Sequence, residues 1–399
     1  MNKLKKLLFP YLLIVYEVVL YLSNDMYLPS MPTIADDLVL SEHEIQSTLT
    51  FWFLGASSLQ FLLGPLSDRY GRRIVILSGA LFFILSSAVC AIATSLGTLL
   101  IARLVQGTAV CTLVAGYAAV NESFNTKQAI SLFAIIGAIT ILAPALGPLF
   151  GSIVLQFASW RHIFWCLAIL NSLTLIALYF YLPETNLKRR KFNFKTIRSH
   201  YAQILSNRDF LIPCASYFLI VAIEFLWAFE SPFLMMEVYH TSIMFYGVAQ
   251  SVIFGCFLLG AAATKWLLDH YSVKALIVYG MSIIIVGTIA FWLCSIFHPT
   301  LTLGIAFMMV IALGSSMLIA PFTRIALQSC QQPTGTVTAV FTTATNLAGV
   351  AIGLILSMIN STNLFVVATI ALICVALTLV LVMYLRMPSA DKKTFKSLF

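Results

Sequence analysis

The sequence predicts an all-α protein that crosses a membrane twelve times, in two halves of six helices. Three observations predict it. First, 60% of the 399 residues are apolar and only 10% are charged, with a mean hydropathy of +0.97. A water-soluble chain runs nearer half apolar and about a quarter charged. Second, twelve apolar runs are each long enough to span a hydrocarbon core, which takes about 20 helical residues. Third, Lys and Arg gather on one side of the alternation that those runs create. This composition argues against a soluble enzyme, a disordered chain and a nucleic-acid binder.

The runs cover residues 7–28, 44–64, 74–94, 98–120, 128–152, 160–182, 209–236, 243–265, 274–296, 300–323, 335–358 and 363–386. The first follows Lys3, Lys5 and Lys6, in the manner of a signal peptide. It carries Glu17 and Asp25, and no small-residue cleavage site follows it, so it reads as an uncleaved first helix. A loop with Asp36, Asp37, Glu42 and Glu44 leads to the second run. Most other connections are short. The longest, 183–208, holds Lys188, Arg189, Arg190, Lys191, Lys195 and Arg198. It divides the chain into an N-terminal half (1–185), a cytoplasmic basic linker (186–208) and a C-terminal half (209–399).

Place both termini and the even-numbered connections on one side. That side then collects all 23 Lys and Arg except Arg161, on the opposite side, and Arg103, inside the fourth run. By the positive-inside rule both termini are cytoplasmic. The net charge of +8 therefore meets lipid headgroups and gives no reason to expect a nucleic-acid partner. The eight cysteines form no CxxC pair and read as small buried apolar residues. The six histidines lie mostly at loops or helix ends, which suggests no metal site. Without a P-loop or a GxSxG there is no sign of ATP use or serine hydrolase chemistry. No cofactor and no enzymatic activity are expected.

The chain also repeats itself. PLSDRYGRRIVI follows the second run and WLLDHYSVKALI the eighth. At an offset of 201 residues Asp68 matches Asp269, Tyr70 matches Tyr271 and Arg73 matches Lys274. Parallel repeats of six helices are a construction used by secondary transporters.

Four stretches carry a resemblance. In LGPLSDRYGRR (63–73), Gly64 and Gly71 permit tight turns, Asp68 can pair with a cation, and Arg72 lies beside Arg73 on the basic face. It resembles motif A of the major facilitator superfamily. The pattern Leu100-x-x-Arg103-x-x-Gln106-Gly107 resembles motif B of that superfamily. Pro144, Gly147, Pro148 and Gly151 stand where motif C of drug/proton antiporters has its prolines and glycines. The first run, with Tyr16, Glu17, Tyr21, Asn24, Asp25, Met26 and Pro29, is similar to multidrug transporters of the MdfA type, and its DMYLPSMP also to the Bcr/CflA branch. GYAAVNESF (116–124) and Pro183-Glu184-Thr185 look MdfA-like as well. The resemblance is specific over residues 10–185. It implies a major facilitator fold, with Gly64, Asp68, Gly71 and Arg72 as a conformational latch between the halves. It also implies proton and cation sites at Glu17 and Asp25, and coupling through Arg103.

The residues support that assignment independently. A carboxylate at a helix centre costs on the order of 2.5–3.5 kcal/mol in a membrane, so Glu17, Asp25, Glu224 and Glu230 should not face lipid. Glu17 and Asp25 lie about 80° apart around the helix and about 12 Å apart along it, on one broad face at two depths. Buried Arg103 needs a partner, and those two carboxylates are the candidates. Gly147 and Gly151 form a GxxxG that permits close helix packing, and Pro144 and Pro148 suggest a bent or pliable helix. Tyr16, Tyr21, Trp52, Phe53, Tyr117, Phe225 and Trp227 offer aromatic surface to lipophilic cations. The expected substrate cavity holds Tyr16, Tyr21, Asn24, Tyr117, Glu224, Trp227 and Glu230. Glu230 departs from the family pattern, where an uncharged glutamine is expected. The expected activity is proton-coupled export of lipophilic, often cationic, drugs by alternating access, from a monomer in the bacterial inner membrane. The partners expected are a small-molecule substrate, protons and membrane lipid. A transporter of a specific polar metabolite, such as a siderophore or organic acid, working as an importer or an exporter, stays open as the alternative.

Overall fold

The computed structural model describes residues 3–186, 194–359 and 362–385. All regular elements among the described residues are helical. Eleven helices are long and apolar enough to cross a membrane, and a bent pair makes the twelfth span. We number the spans α1 (Leu8–Leu38), α2 (Glu42–Ser58 with Gln60–Tyr70), α3 (Arg72–Ala91), α4 (Leu96–Ser123), α5 (Thr126–Phe157) and α6 (Trp160–Tyr181). The second set is α7 (Arg208–Val238), α8 (Ile243–His270), α9 (Val273–Phe297), α10 (Leu301–Gln328), α11 (Thr334–Leu356) and α12 (Leu364–Met383).

Local sequence explains the starts and breaks. Asn125, Ser242, Ser272 and Asn363 each accept a backbone N–H of the first turn of their helix. Ser41 and Glu44 form a full capping box at the start of α2. In α1 the helix stops at Asp25, passes through a 3-10 turn at Leu28–Ser30 and resumes over Met31–Leu38. Pro29 and Pro32 stand at the starts of those pieces, where a missing N–H costs nothing. The expected acidic loop is therefore mostly helix: Asp36 and Asp37 end α1, and Glu42 and Glu44 begin α2. The helix α2 bends by 44° at Leu59. The helix α5 runs unbroken past Pro144 and Pro148. The long connection contains a further helix, Phe194–Leu205. The basic residues 188–191, together with Arg386, Lys392, Lys393 and Lys396, lie outside the described residues.

The two halves pack alike. In the first, α1 packs on α5 and α6, α2 on α4 and α3 on α6; in the second, α7 packs on α11 and α12, α8 on α10 and α9 on α12. The 201-residue offset reappears in the backbone. Among the described residues the two non-glycine positions with positive φ are Val39 (54°) and His240 (50°), one in each half at that offset. The helix caps Ser41 and Ser242 share it. Large apolar side chains stay exposed along α3, α6, α9 and α12, including Phe82, Leu85, Leu173, Phe180, Val286 and Leu377. Such a belt is untenable in water and suits lipid.

Side-chain contacts sort the helix ends into two faces. On one, Asp37 meets Arg161, and Tyr239 meets the carbonyl of Pro299; this is the α1–α2 face. On the other, Glu184 meets the backbone of Arg72, and Asn207 meets the carbonyl of Ser329; this is the α2–α3 face. The halves join through α2 on α11 and α5 on α8. Toward the α1–α2 face the joints are tight: Gly247 abuts Ser152, Gly353 abuts Thr50, and Gly349 abuts Phe53. Toward the α2–α3 face α5 and α8 part. Gly255 continues the Gly247–Ser251 stripe that faces α5, yet a side chain there would meet nothing within 4 Å, and the same holds at Gly137 of α5.

Candidate functional site

The two acids of α1 lie in different surroundings. Glu17 is 3% exposed and accepts a hydrogen bond of 2.8 Å from the Tyr117 hydroxyl of α4. Both border a small cleft inside the first half, with Tyr16, Thr112, Gly116 and Ile136. Tyr16 is itself tied to Thr112 at 2.9 Å. Asp25 ends the first piece of α1, one residue after Asn24. Tyr21 stands within electrostatic reach of Glu17, Asp25 and, from the second half, Tyr217.

Arg103 is fully buried, and its expected ion pair is absent: no carboxylate oxygen lies within 4.0 Å of it among the described residues. Uncharged groups hold it instead. Nη1 donates to the Ser23 carbonyl at 2.9 Å and to Gln106 Oε1 at 2.7 Å. Nη2 donates to Asn24 Oδ1 at 3.4 Å, and Asn24 donates to Asp25 Oδ1 at 3.5 Å. The guanidinium lies 4.4 Å from the Tyr27 ring and 5.9 Å from Trp52. Cation–π contact and carbonyl acceptors replace a counter-ion. The amide of Asn24 is thus a bridge between Arg103 and Asp25. Arg103 Nε has no acceptor.

The motif C stretch turns out to serve α1. A side-chain carbon at Gly147 would overlap Asp25, and one at Gly151 would overlap the Met26 carbonyl. The two glycines let α5 touch α1 at the break that carries Asp25.

Gly64, Asp68, Gly71 and Arg72, the residues expected to act as a latch, form one cluster in the first half. Arg72 pairs with Asp68 and with Glu122 (3.0 Å), and donates to Ser67. Glu184 accepts from the N–H groups of Arg72 and Arg73, at 3.0 and 3.3 Å. Gly71 adopts φ 112°, and any side chain there would strike the Glu184 carboxylate. Asp68 pairs with Arg72 of its own half, and Asn186 at the start of the linker donates to its carbonyl. Gly64 lies in the second piece of α2, with Val114 of α4 nearby.

In the second half Trp227 donates to Gln250 (3.2 Å), which donates to Ser231 (2.8 Å). Glu224 is half-buried on α7, beside Ser315 of α10. Glu230 departs from expectation. It is 1% exposed and sits in the seam between α2 and α7, accepting from Gln46 at 3.1 Å. Of the aromatic residues named above, Tyr16, Trp52, Phe53 and Trp227 are packed away, with the Phe53 ring tilted against Phe225 at 4.4 Å across the halves. The sequence reading missed Gln46, Gln250, Tyr27, and Glu122 and Glu184 as latch partners. The last two lie in the GYAAVNESF and Pro-Glu-Thr stretches, and Tyr27 in DMYLPSMP, all already set apart by resemblance; nothing marked Gln46 or Gln250. No group of three metal-ligating side chains occurs among the described residues.

Comparison with known proteins agrees with this architecture. The chain is 31% identical over 338 residues to the chloramphenicol resistance protein CraA of Acinetobacter baumannii, covering 84% of this chain and 81% of that one. It is 34% identical over 287 residues to the multidrug transporter MdfA of Yersinia pestis, covering 71% and 70%. It is 30% identical over 346 residues to the multidrug resistance protein MdtM of Escherichia coli, covering 84% and 82%. Among solved structures, a bacterial homologue of the human lysosomal transporter Spinster, inward-facing and occupied, superposes with a TM-score of 0.73 at 12% identity, covering 96% and 98%. The human organic anion transporter MFSD10 gives 0.66 at 17% identity, covering 94% and 98%. At that identity both speak for the fold alone. The family model of the Major Facilitator Superfamily matches residues 13–354, and with twelve spans in two like halves the chain belongs to that superfamily.

Proposed function

We propose that this protein exports small lipophilic molecules, cations among them, in exchange for protons, from a bacterial inner membrane. The observation that carries the reading is Glu17, a membrane-embedded carboxyl that accepts the Tyr117 hydroxyl at a cleft. The printed names of three relatives, which concern drug and chloramphenicol resistance, support the substrate class. The lysines and arginines support a cytoplasmic α2–α3 face, with both termini on that side. Helices α5 and α8 part toward that same face, which supports entry of substrate from the cytoplasm.

The steps follow from the geometry. Glu17 lies nearer the open face and Asp25 about 12 Å deeper. A cation arriving from the open side meets Glu17 first and displaces its proton, while Tyr117 continues to donate to the carboxylate. Asp25 exchanges its proton deeper in, where Asn24 links it to Arg103. Ionised Asp25 attracts the guanidinium, whose Nε is free to turn toward it. That rearrangement pulls on Ser23, Tyr27 and Gln106, which belong to α1 and α4. Alternating access then moves the acids to the other side, where protons replace the cation. The membrane potential contributes about 2.3 kcal/mol per charge per 100 mV. An anionic metabolite fits poorly, because the ionisable groups of the site are chiefly acids.

The test uses purified protein in proteoliposomes. Adding a lipophilic cation should release protons from the wild type and move protons across the bilayer. Carboxylate metabolites and siderophores, screened in parallel, should do neither. Proton flux with a metabolite and none with any lipophilic compound would overturn the drug reading.

A further inference from the structure

We propose that Glu230, with Glu42 beside it, is a second proton-binding site, placed in the seam that closes the α1–α2 face, and that loss of its proton opens the seam. The proposal rests on the exchange of protons argued above and places an additional one outside α1.

The seam joins three elements. Gln46 of α2 donates to Glu230 Oε1 at 3.1 Å, to the Phe229 carbonyl at 3.2 Å and to Glu42 Oε1 at 3.3 Å. Thr362, from the α11–α12 connection, donates to the same Glu42 oxygen. One amide and one hydroxyl therefore tie the first half to the second. Two buried acceptors in this seam have no donor: Glu230 Oε2 and Gln46 Oε1. The charged and titratable neighbours are Glu42 and His43 of α2, Asp36 at the end of α1 and Glu237 at the end of α7. No Lys or Arg pairs with Glu230 among the described residues. His43 faces Glu42 with its Nδ1 unpartnered.

An ionised carboxyl at this burial, unpaired and beside a second acid, is costly. A proton on Glu230 removes the charge and supplies the missing donor. Without that proton, Glu230 and Glu42 repel across the seam, and two hydrogen bonds from Gln46 and Thr362 oppose them. The last turn of α7 is a π-helix over Leu234–Val238, a rare geometry found most often at functional sites. Asp36 and Glu237 are exposed at the rim, where their charge concentrates protons from the α1–α2 side. The seam is thus closed by protons arriving from the side it seals.

Double electron–electron resonance can read the seam directly. Nitroxides at Val39→Cys and His240→Cys, the exposed turn tips of the two halves on this face, are placed on full-length protein whose native cysteines have been replaced. Between pH 5 and pH 9 the distance should lengthen. The open-to-closed ratio should rise by up to about tenfold per pH unit, as one titrating group allows. Glu230→Gln, isosteric with the protonated acid, should stay closed throughout. Glu230→Asp should restore a pH response. A Glu230→Gln profile that matches the wild type would overturn the proposal, as would a wild type without pH dependence. Proton release on substrate addition is measured separately. Its absence in the wild type would refute proton-coupled export itself, whatever the seam does.

Discussion

At the residue scale, two kinds of buried charge behave differently here. Arg103 is held without an acid, by one backbone carbonyl, two side-chain amides and two aromatic rings. Arg103→Ala removes the cation and orphans Gln106 Oε1, and a loss of this kind costs roughly 1–3 kcal/mol. Thermal unfolding in detergent should register that loss, and transport should disappear. Arg103→Lys keeps the charge but lacks the planar fork, so unfolding should fall less and some transport should remain. Equal effects from the two variants would show that the fork is irrelevant. The acids of α1 are exchange sites in our reading. Glu17→Gln with Asp25→Asn should abolish proton release on adding a cation, while either change alone should only weaken it. Release that survives the double change would move the proton site elsewhere, with Glu230 as the next residue to test.

At the element scale, the helix break at Asp25 and the glycines of α5 act together. Gly147→Val places methyl groups where Asp25 packs. Overpacking of this kind costs about 1–3 kcal/mol. Transport should fall more than tenfold, with membrane insertion intact by fractionation; normal transport would mean that α5 need not touch α1 there. The latch allows a finer test. Asp68 is partly exposed and Arg72 keeps Glu122, so Asp68→Asn should cost under about 1 kcal/mol of stability. Turnover should still drop, because we assign Asp68 a second partner across the halves in the state that closes the α2–α3 face. Wild-type turnover in Asp68→Asn would rule that role out. Its contacts in the described state are with Arg72 and with Asn186 of the linker, so the partner across the halves belongs to the other state in this proposal.

For the whole molecule, the arrangement is two copies of one six-helix plan, joined tightly at the α1–α2 face, with α5 and α8 parted toward the other. Epitope tags inserted near residue 190 and at the C-terminus should both be reached only from the cytoplasm, because the lysines and arginines sit on that side. Labelling of either tag on intact cells would invert the topology and the direction of transport with it.

Composition, run length and charge placement determined the twelve spans and the division into halves, because a lipid core penalises every exposed polar group and leaves helices as the economical answer. The repeat was legible as four identical letters and one Arg-to-Lys exchange around Asp68 and Asp269, and the backbone repeated it at Val39 and His240. Glu17, Asp25 and Arg103 stood out from sequence because charge inside a membrane is rare and expensive. Partners did not stand out. The sequence offered Arg103 two carboxylates, while the fold gave it Tyr27, Trp52, Ser23, Asn24 and Gln106. It placed Glu230 in a cavity, while the fold put it in a seam against Gln46, 184 positions away along the chain. Hydropathy and periodicity report how each helix meets its solvent. Which side chains meet across helices depends on how the helices rotate and tilt against one another, and that was decided only when glycines, prolines and aromatic rings packed in three dimensions.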